Sequence, residues 1–303
     1  MRLEAPVRLA QSVIWLIPLL WAVNYFVARR APGVIEPYTL ALIRWGVAGA
    51  LLTVHARAEL LREWRHIASV WYQYLVLGFC GMVVCGAWVY VGARSTGAVN
   101  IALIYAASPV LIAVGSVVWL QEHMRRTQVL GVMLALTGVL HVIVKGQWGA
   151  LGDVRFVAGD LWIVAAMVAW AVYALLQKMW PSPLGSTARL AAMCWGAMPV
   201  LMAGAAWEMA QAHTPPLTAH AWTLGISAAL FPGVLAYWIY GWAQKVLGAS
   251  KVAVTLYLGP LYGALLAWLV LGESLGWHHL VAAGLILPGV YLVSRTGSPQ
   301  RTG

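Results

Sequence analysis

Apolar residues run along this chain in ten stretches: 10–28, 37–55, 70–92, 97–119, 128–145, 158–177, 187–209, 219–241, 249–271 and 277–294. Glycine, proline or charge separates most of them. A bilayer crossing takes about 20 apolar residues, so the pattern predicts an all-α polytopic membrane protein with ten transmembrane helices. The turns between spans 3 and 4 and between spans 8 and 9 are very short, which makes each of those pairs an antiparallel hairpin. The longest connection lies near 146–157, too short for a soluble domain. Stretch 10–28 is longer than a signal-peptide core and no small-residue cleavage site follows it, so it reads as a span.

The pattern repeats. Gly97, Pro109 and Glu122 recur 151 residues later as Gly248, Pro260 and Glu273, and between Gly97 and Val142 that shift gives 12 identities in 46 positions. Earlier segments align with small slips: Trp21-Ala22-Val23 with Trp170-Ala171-Val172, Trp45-Gly46 with Trp195-Gly196, and Trp88 and Tyr90 with Trp238 and Tyr240. The chain therefore reads as two five-span units, 1–149 and 150–303. Internal duplication in an apolar chain is a common way to build a transporter.

Charge gives the two units their orientation. Residues are 62% hydrophobic and 9% charged, against about 25% charged in soluble domains. With the N-terminus inside, Arg2, Arg8, Arg57, Arg62, Arg65, Arg125, Arg126, Lys178, Arg189, Lys245, Lys251, Arg295 and Arg301 fall on the cytoplasmic side. Arg29, Arg30, Arg94, Lys145 and Arg155 fall outside, and Arg44 lies within a span. Thirteen against five follows the positive-inside bias. It expects both termini in the cytoplasm of a bacterial inner membrane, and it accounts for the net charge of +10 without a nucleic-acid partner. Five spans per unit is odd, so the second unit enters from the opposite side and the halves are inverted repeats. Arg125 and Arg126 follow Glu122, whereas Gly276 and Trp277 hold the matching places after Glu273; the basic pair is present only on the predicted cytoplasmic side.

At these residues the chain resembles the drug/metabolite transporter (DMT) superfamily, in particular proteins with two EamA-type units. The small-residue start of span 4, its central proline and its terminal glutamate carry the resemblance in both copies. WAVNYFVARR in span 1 and IRWG in span 2 are further similar to YddG-type exporters of aromatic amino acids. The resemblance implies ten helices in two inverted halves, with a central cavity between them for a small-molecule substrate.

Several residues could serve such a cavity. Arg44 lies about eight positions into span 2, roughly 12 Å along the helix, where a charge costs about 2.5–3.5 kcal/mol on insertion scales. It could hold a substrate carboxylate, or it could snorkel to the interface or cap a helix end. Asn24, at similar depth in span 1, could orient an ammonium or carboxylate, or bond between helices. The chain has 18 Trp and 12 Tyr against 4 Phe, a bias toward rings with a polar edge. Trp21, Trp88, Trp170, Tyr173, Tyr105, Ser108 and Tyr257 are candidate lining residues, set against interfacial anchoring and packing. Pro109 and Pro260 sit mid-span as candidate hinges or fixed kinks. Glu122 and Glu273 read as structural caps of helix amides, as does Asp160. His141 reads as packing, and His278 and His279 project differently from one helix. Cys80, Cys85 and Cys194 have no metal-ligand spacing, so no metal or cofactor is expected.

Two absences narrow the function. A carrier of polyanionic phosphates would want several buried basic residues, and only Arg44 qualifies. A proton-coupled exporter of cationic drugs would want a mid-membrane carboxylate, and none of the nine acids lies there. The sequence therefore points to a secondary transporter exporting aromatic amino acids or similar small amphiphiles by alternating access. Spans 1–4 and 6–9 would line the path and spans 5 and 10 would be peripheral. The alternatives are efflux of cationic toxins, since aromatic cages bind quaternary cations, and a polytopic membrane enzyme, which would need a His/acid constellation that the sequence lacks. A duplicated chain supplies both halves alone and could act as a monomer.

Overall fold

The computed structural model of the protein describes residues 4–271 and 276–295. Among them there is no strand, and nine helices are long and apolar enough to cross a membrane. Spans 1 to 8 fall on Pro6–Ala28, Pro37–Arg62, Trp71–Gly92, Asn100–Val118, Arg126–Ile143, Ala158–Met179, Ser186–Met209 and Ala219–Leu247, and span 10 on Trp277–Ser294. Stretch 249–271 is helical but not one continuous helix. It runs as Ala249–Ala253, a 3-10 segment Val254–Leu258, and Gly259–Leu271.

Proline sets several of the breaks. A proline lacks the N–H that an i−4 carbonyl needs, and its ring crowds that carbonyl. Pro18 acts on Ile14, where span 1 breaks between Glu4–Val13 and Leu16–Arg30. Pro109 follows the break between Ala98–Ala106 and Ser108–Val118, and Pro260 follows the 3-10 segment of span 9. Spans 3 and 8 share a rarer irregularity. Each widens into a π-helix, Phe79–Trp88 in one and Ala229–Leu235 in the other, starting 150 residues apart. Pro232 lies inside the second; the first contains no proline.

In lipid, helices associate by close packing and hydrogen bonds rather than by a hydrophobic force between them. The most extensive contacts pair span 5 with span 10, and span 2 with span 7. Spans 5 and 10 cross at Gly131 and Gly289. A Cβ on either glycine would lie 2.6 Å from the carbonyl oxygen of the other, so only glycine permits this approach. Val132, Ala135, Val139, Ile286 and Val290 fill the seam, and Tyr257 of span 9 joins the same cluster. The larger core draws on spans 1 to 4 and 6 to 9, and it includes Trp45, Trp170, Tyr173, Tyr237 and Tyr240. Val54, Val114, Leu161 and Leu280 are exposed around the outside, as expected where the surrounding solvent is hydrocarbon.

Glu208 and Glu122 each tie helices together in trans. Glu208, at the end of span 7, accepts the Tyr38 and Thr39 amides at 2.8 Å each and the Thr39 hydroxyl at 2.9 Å, capping the first turn of span 2. Glu122 accepts the Ser250 hydroxyl at 2.8 Å and the Ala249 amide at 3.3 Å. The helix it caps is that of span 9, not the following span 5, whose own N-terminus is bonded by Gln128. Gly248 makes the approach possible: its φ of +96° suits glycine, and a Cβ there would lie 3.2 Å from the Glu122 carboxylate. Glu273, the matching acid, lies outside the described residues.

Candidate functional site

Arg44 is a cation held deep in the bundle. Span 2 buries it to 3% exposure, so it does not snorkel to solvent. One guanidinium nitrogen donates to Asn24 Oδ1 at 3.3 Å and to the Tyr90 hydroxyl at 3.4 Å; the other donates to the Pro232 carbonyl at 3.2 Å. Tyr90 in turn donates to Asn24 Oδ1 at 2.6 Å. The guanidinium carbon lies 4.6 Å from the centroid of the Trp45 ring. Its Nε has no partner, and among the described residues no carboxylate lies within salt-bridge distance of it. A buried cation is normally paired, because the cost of removing a charge from water has to be offset locally. Here the neighbours are dipoles and a ring face.

The π-helix of span 8 supplies one of those dipoles. A π turn displaces carbonyls from the α-helical ladder, and such segments gather at functional sites. The Pro232 carbonyl accepts from both Arg44 and Trp21 Nε1, the latter at 3.2 Å. The π-helix of span 3 behaves alike, since its Gly81 carbonyl accepts the Tyr237 hydroxyl at 2.7 Å. Both irregular segments thus turn backbone acceptors toward the middle of the bundle.

Beside Arg44 the rings form one contiguous cluster. Trp21 meets Trp170 at 5.2 Å and Tyr237 at 5.8 Å edge-on, and Tyr240 at 5.4 Å with the rings tilted. Trp170 stacks on Tyr173 at 5.4 Å and touches Tyr240 at 5.0 Å. Tyr237 reaches Trp45 at 4.8 Å. The Trp45 indole N–H and the Tyr240 hydroxyl are buried without partners. The centre therefore holds one cation and two spare donors among aromatic faces, and the rings close on one another where the family resemblance implies a cavity.

Of the residues singled out from sequence, Trp21, Asn24, Arg44, Trp170 and Tyr173 converge here. Trp88 does not join them: its indole donates to the Tyr38 hydroxyl at 2.9 Å, and its ring packs on Phe79 and Trp162. Tyr105 packs with Ile104, Ile163 and Met167. Ser108 is buried beside Pro109 with an unpaired hydroxyl. Tyr257 donates at 3.1 Å to the Ala106 carbonyl, next to the break ahead of Pro109, and sits in the cluster of spans 5 and 10. Asp160 accepts from Asn100 and the Val157 amide at 2.8 Å and from Thr96, holding the start of span 6 to span 4. Among the described residues, no three His, Cys, Asp or Glu side chains are placed to hold a metal ion. Sequence reasoning does not reach Tyr237 and the Pro232 carbonyl. The signal for them is Pro232-Gly233 inside a predicted span, the same cue that Pro109 and Pro260 give.

Comparison with known proteins completes this picture. The profile of the EamA-like transporter family matches residues 9–144 and 157–295. An uncharacterized transporter of Bacillus subtilis is 28% identical over 89% of this chain and 88% of its own length. A probable terminal-alkyne amino-acid exporter of Streptantibioticus cattleyicolor is 27% identical over 64% of this chain and 63% of its own. A solved crystal structure at 17% identity shares the fold, with a TM-score of 0.73 over 93% of this chain and 95% of that one. The chain belongs to the EamA-like transporter family of the DMT superfamily, and it is a multi-pass membrane transporter of small molecules.

Proposed function

We propose that this transporter exports aromatic amino acids or closely similar amphiphilic carboxylates, by alternating access between two inverted five-span halves. The observation that carries this reading is Arg44: a buried cation, without a carboxylate partner among the described residues, set against a cluster of rings. Its unpaired Nε and the spare donors of Trp45 and Tyr240 suit a ligand rich in acceptor atoms. A solute carboxylate would satisfy them with charge-assisted bonds, while its side chain would lie among Trp21, Trp170, Tyr173 and Tyr237. Since these rings touch, the solute enters as the halves part. The relative named a probable terminal-alkyne amino-acid exporter supports an amino acid as the solute.

The loop charges support an inner-membrane orientation with both termini in the cytoplasm, and the duplication supports a monomer as the working unit. Efflux of cationic toxins fits this centre less well, because Arg44 would repel the ligand that the rings attract. The test is flux in proteoliposomes loaded with labelled phenylalanine, tryptophan, threonine and a nucleotide sugar. Phenylalanine and tryptophan should leave faster than from protein-free vesicles, with the nucleotide sugar retained. Amino-acid fluxes equal to protein-free controls would sink the reading.

A further inference from the structure

The sequence counts Arg189, at the start of span 7, among the cytoplasmic charges. The structure buries it, at 3% exposure. It lies in the first turn of span 7 and lines a pocket between spans 6, 7 and 8, together with Gln177, Ser186, Tyr237, Gly241 and Lys245. One Arg189 nitrogen donates to the Trp180 carbonyl at 2.7 Å, and Lys245 Nζ donates to the Leu184 carbonyl at 2.9 Å. These bonds steady the turn after span 6, a common task for basic residues at a helix C-terminus. They leave much of both cations unused. Arg189 Nε is buried without a partner, two of the three Lys245 ammonium hydrogens remain, and among the described residues neither cation has a carboxylate within salt-bridge distance. The acid whose charge acts on Lys245 is Glu59, already accepting the Gly185 amide at 2.6 Å. The pocket also sits at the N-terminus of a 24-residue helix, whose free amides and dipole favour an anion.

We propose that this pocket is a second carboxylate station, which holds the anionic head of the solute before or after it reaches Arg44. The pocket is small and partly open to the outside, so at most the head of a solute, and not an entire one, could enter it. Tyr237 is shared between the pocket and the central rings, and the Tyr173 hydroxyl is within electrostatic reach of Arg189. Along span 8, Lys245 lies 13 residues beyond Pro232, roughly 20 Å of helix, so the two stations stand on either side of the ring cluster. The loop charges put the second at the cytoplasmic mouth. The solute's identity rests on the function proposed above; binding of a carboxylate here does not.

Benzoate is the probe, and benzamide its neutral counterpart of the same shape. Thermal unfolding of the full-length protein is followed in detergent without anionic lipid, at constant ionic strength. Benzoate should raise the midpoint of wild-type protein and of Arg44→Gln, and benzamide should not. Adding Arg189→Gln or, separately, Lys245→Gln to Arg44→Gln should weaken the apparent benzoate affinity about tenfold or more, as expected for loss of a charged hydrogen bond. Lys245→Gln keeps the test open if Arg189→Gln fails to fold. Loss of the whole response in Arg44→Gln alone would overturn the second station and leave the central site standing. A full response in both double variants would also overturn it. Phosphatidylglycerol that abolishes the benzoate response of Arg44→Gln would make the pocket a lipid-headgroup site and equally overturn the proposal; a persisting response supports it. Absent amino-acid flux with benzoate binding intact would remove the transport reading alone.

Discussion

The seam between spans 5 and 10 and the centre around Arg44 are both buried, and they are held together in opposite ways. At the seam, Gly131 and Gly289 bring backbone against backbone, with small and β-branched residues filling the remainder. At the centre, large rings meet edge to face, and Arg44, Trp21 and Tyr237 bond to carbonyls displaced by two π-helices. Close-packed backbone has few alternative arrangements of similar energy. Hydrogen bonds from long side chains can be exchanged for bonds to a ligand. The seam thus has the character of scaffold, and the centre that of a surface made to open.

Breaking the centre should have the largest effect on transport. Arg44→Ala should lower amino-acid flux about 10- to 100-fold, the range for losing a charged hydrogen bond of about 1.5–3 kcal/mol, with size-exclusion and circular-dichroism profiles retained. Unchanged flux would remove Arg44 from the site. Breaking the seam should act on stability instead. Gly131→Leu forces side chain into backbone and should cost about 1–3 kcal/mol, read as a lower unfolding midpoint, while flux per folded molecule stays within about twofold. A proportional loss of flux would mean that spans 5 and 10 belong to the moving parts. Ser250→Ala removes one bond to the Glu122 carboxylate and should cost about 1 kcal/mol, again by unfolding midpoint. Smallest of all, Trp88→Phe should change flux less than twofold, because its indole bonds to Tyr38 outside the central rings; a tenfold loss would extend the site to Trp88.

Much of the fold is legible in the sequence, because length and apolarity of a span are local properties. Eight stretches and the tenth fall on helices long and apolar enough to cross a membrane. The ninth is helical as well, and what its apolar pattern does not reveal is the 3-10 segment Val254–Leu258 ahead of Gly259–Leu271. The candidate site is half legible. Arg44 stands out as a charge in an apolar run, and Trp21 and Trp170 stand out through the repeat. Arg189 is the reverse case, a charge near a predicted span end that counts among the cytoplasmic charges until tertiary packing buries it. The π-helices are not visible at all, since a widened turn leaves composition unchanged. Their recurrence 150 residues apart shows that the two copies share a backbone irregularity as well as residues. What the copies do not share is polar chemistry: the place of Arg44 is taken by Cys194, buried against Gly49.

The bond between Glu122 and Ser250 also has a consequence for how the protein is made. The carboxylate leaves the ribosome 128 residues before the hydroxyl that it will bond. Throughout insertion of the intervening helices it has only water or lipid headgroups for company. The first five helices can therefore be threaded into the bilayer early, but they stay chemically unfinished until nearly the whole chain has been synthesised.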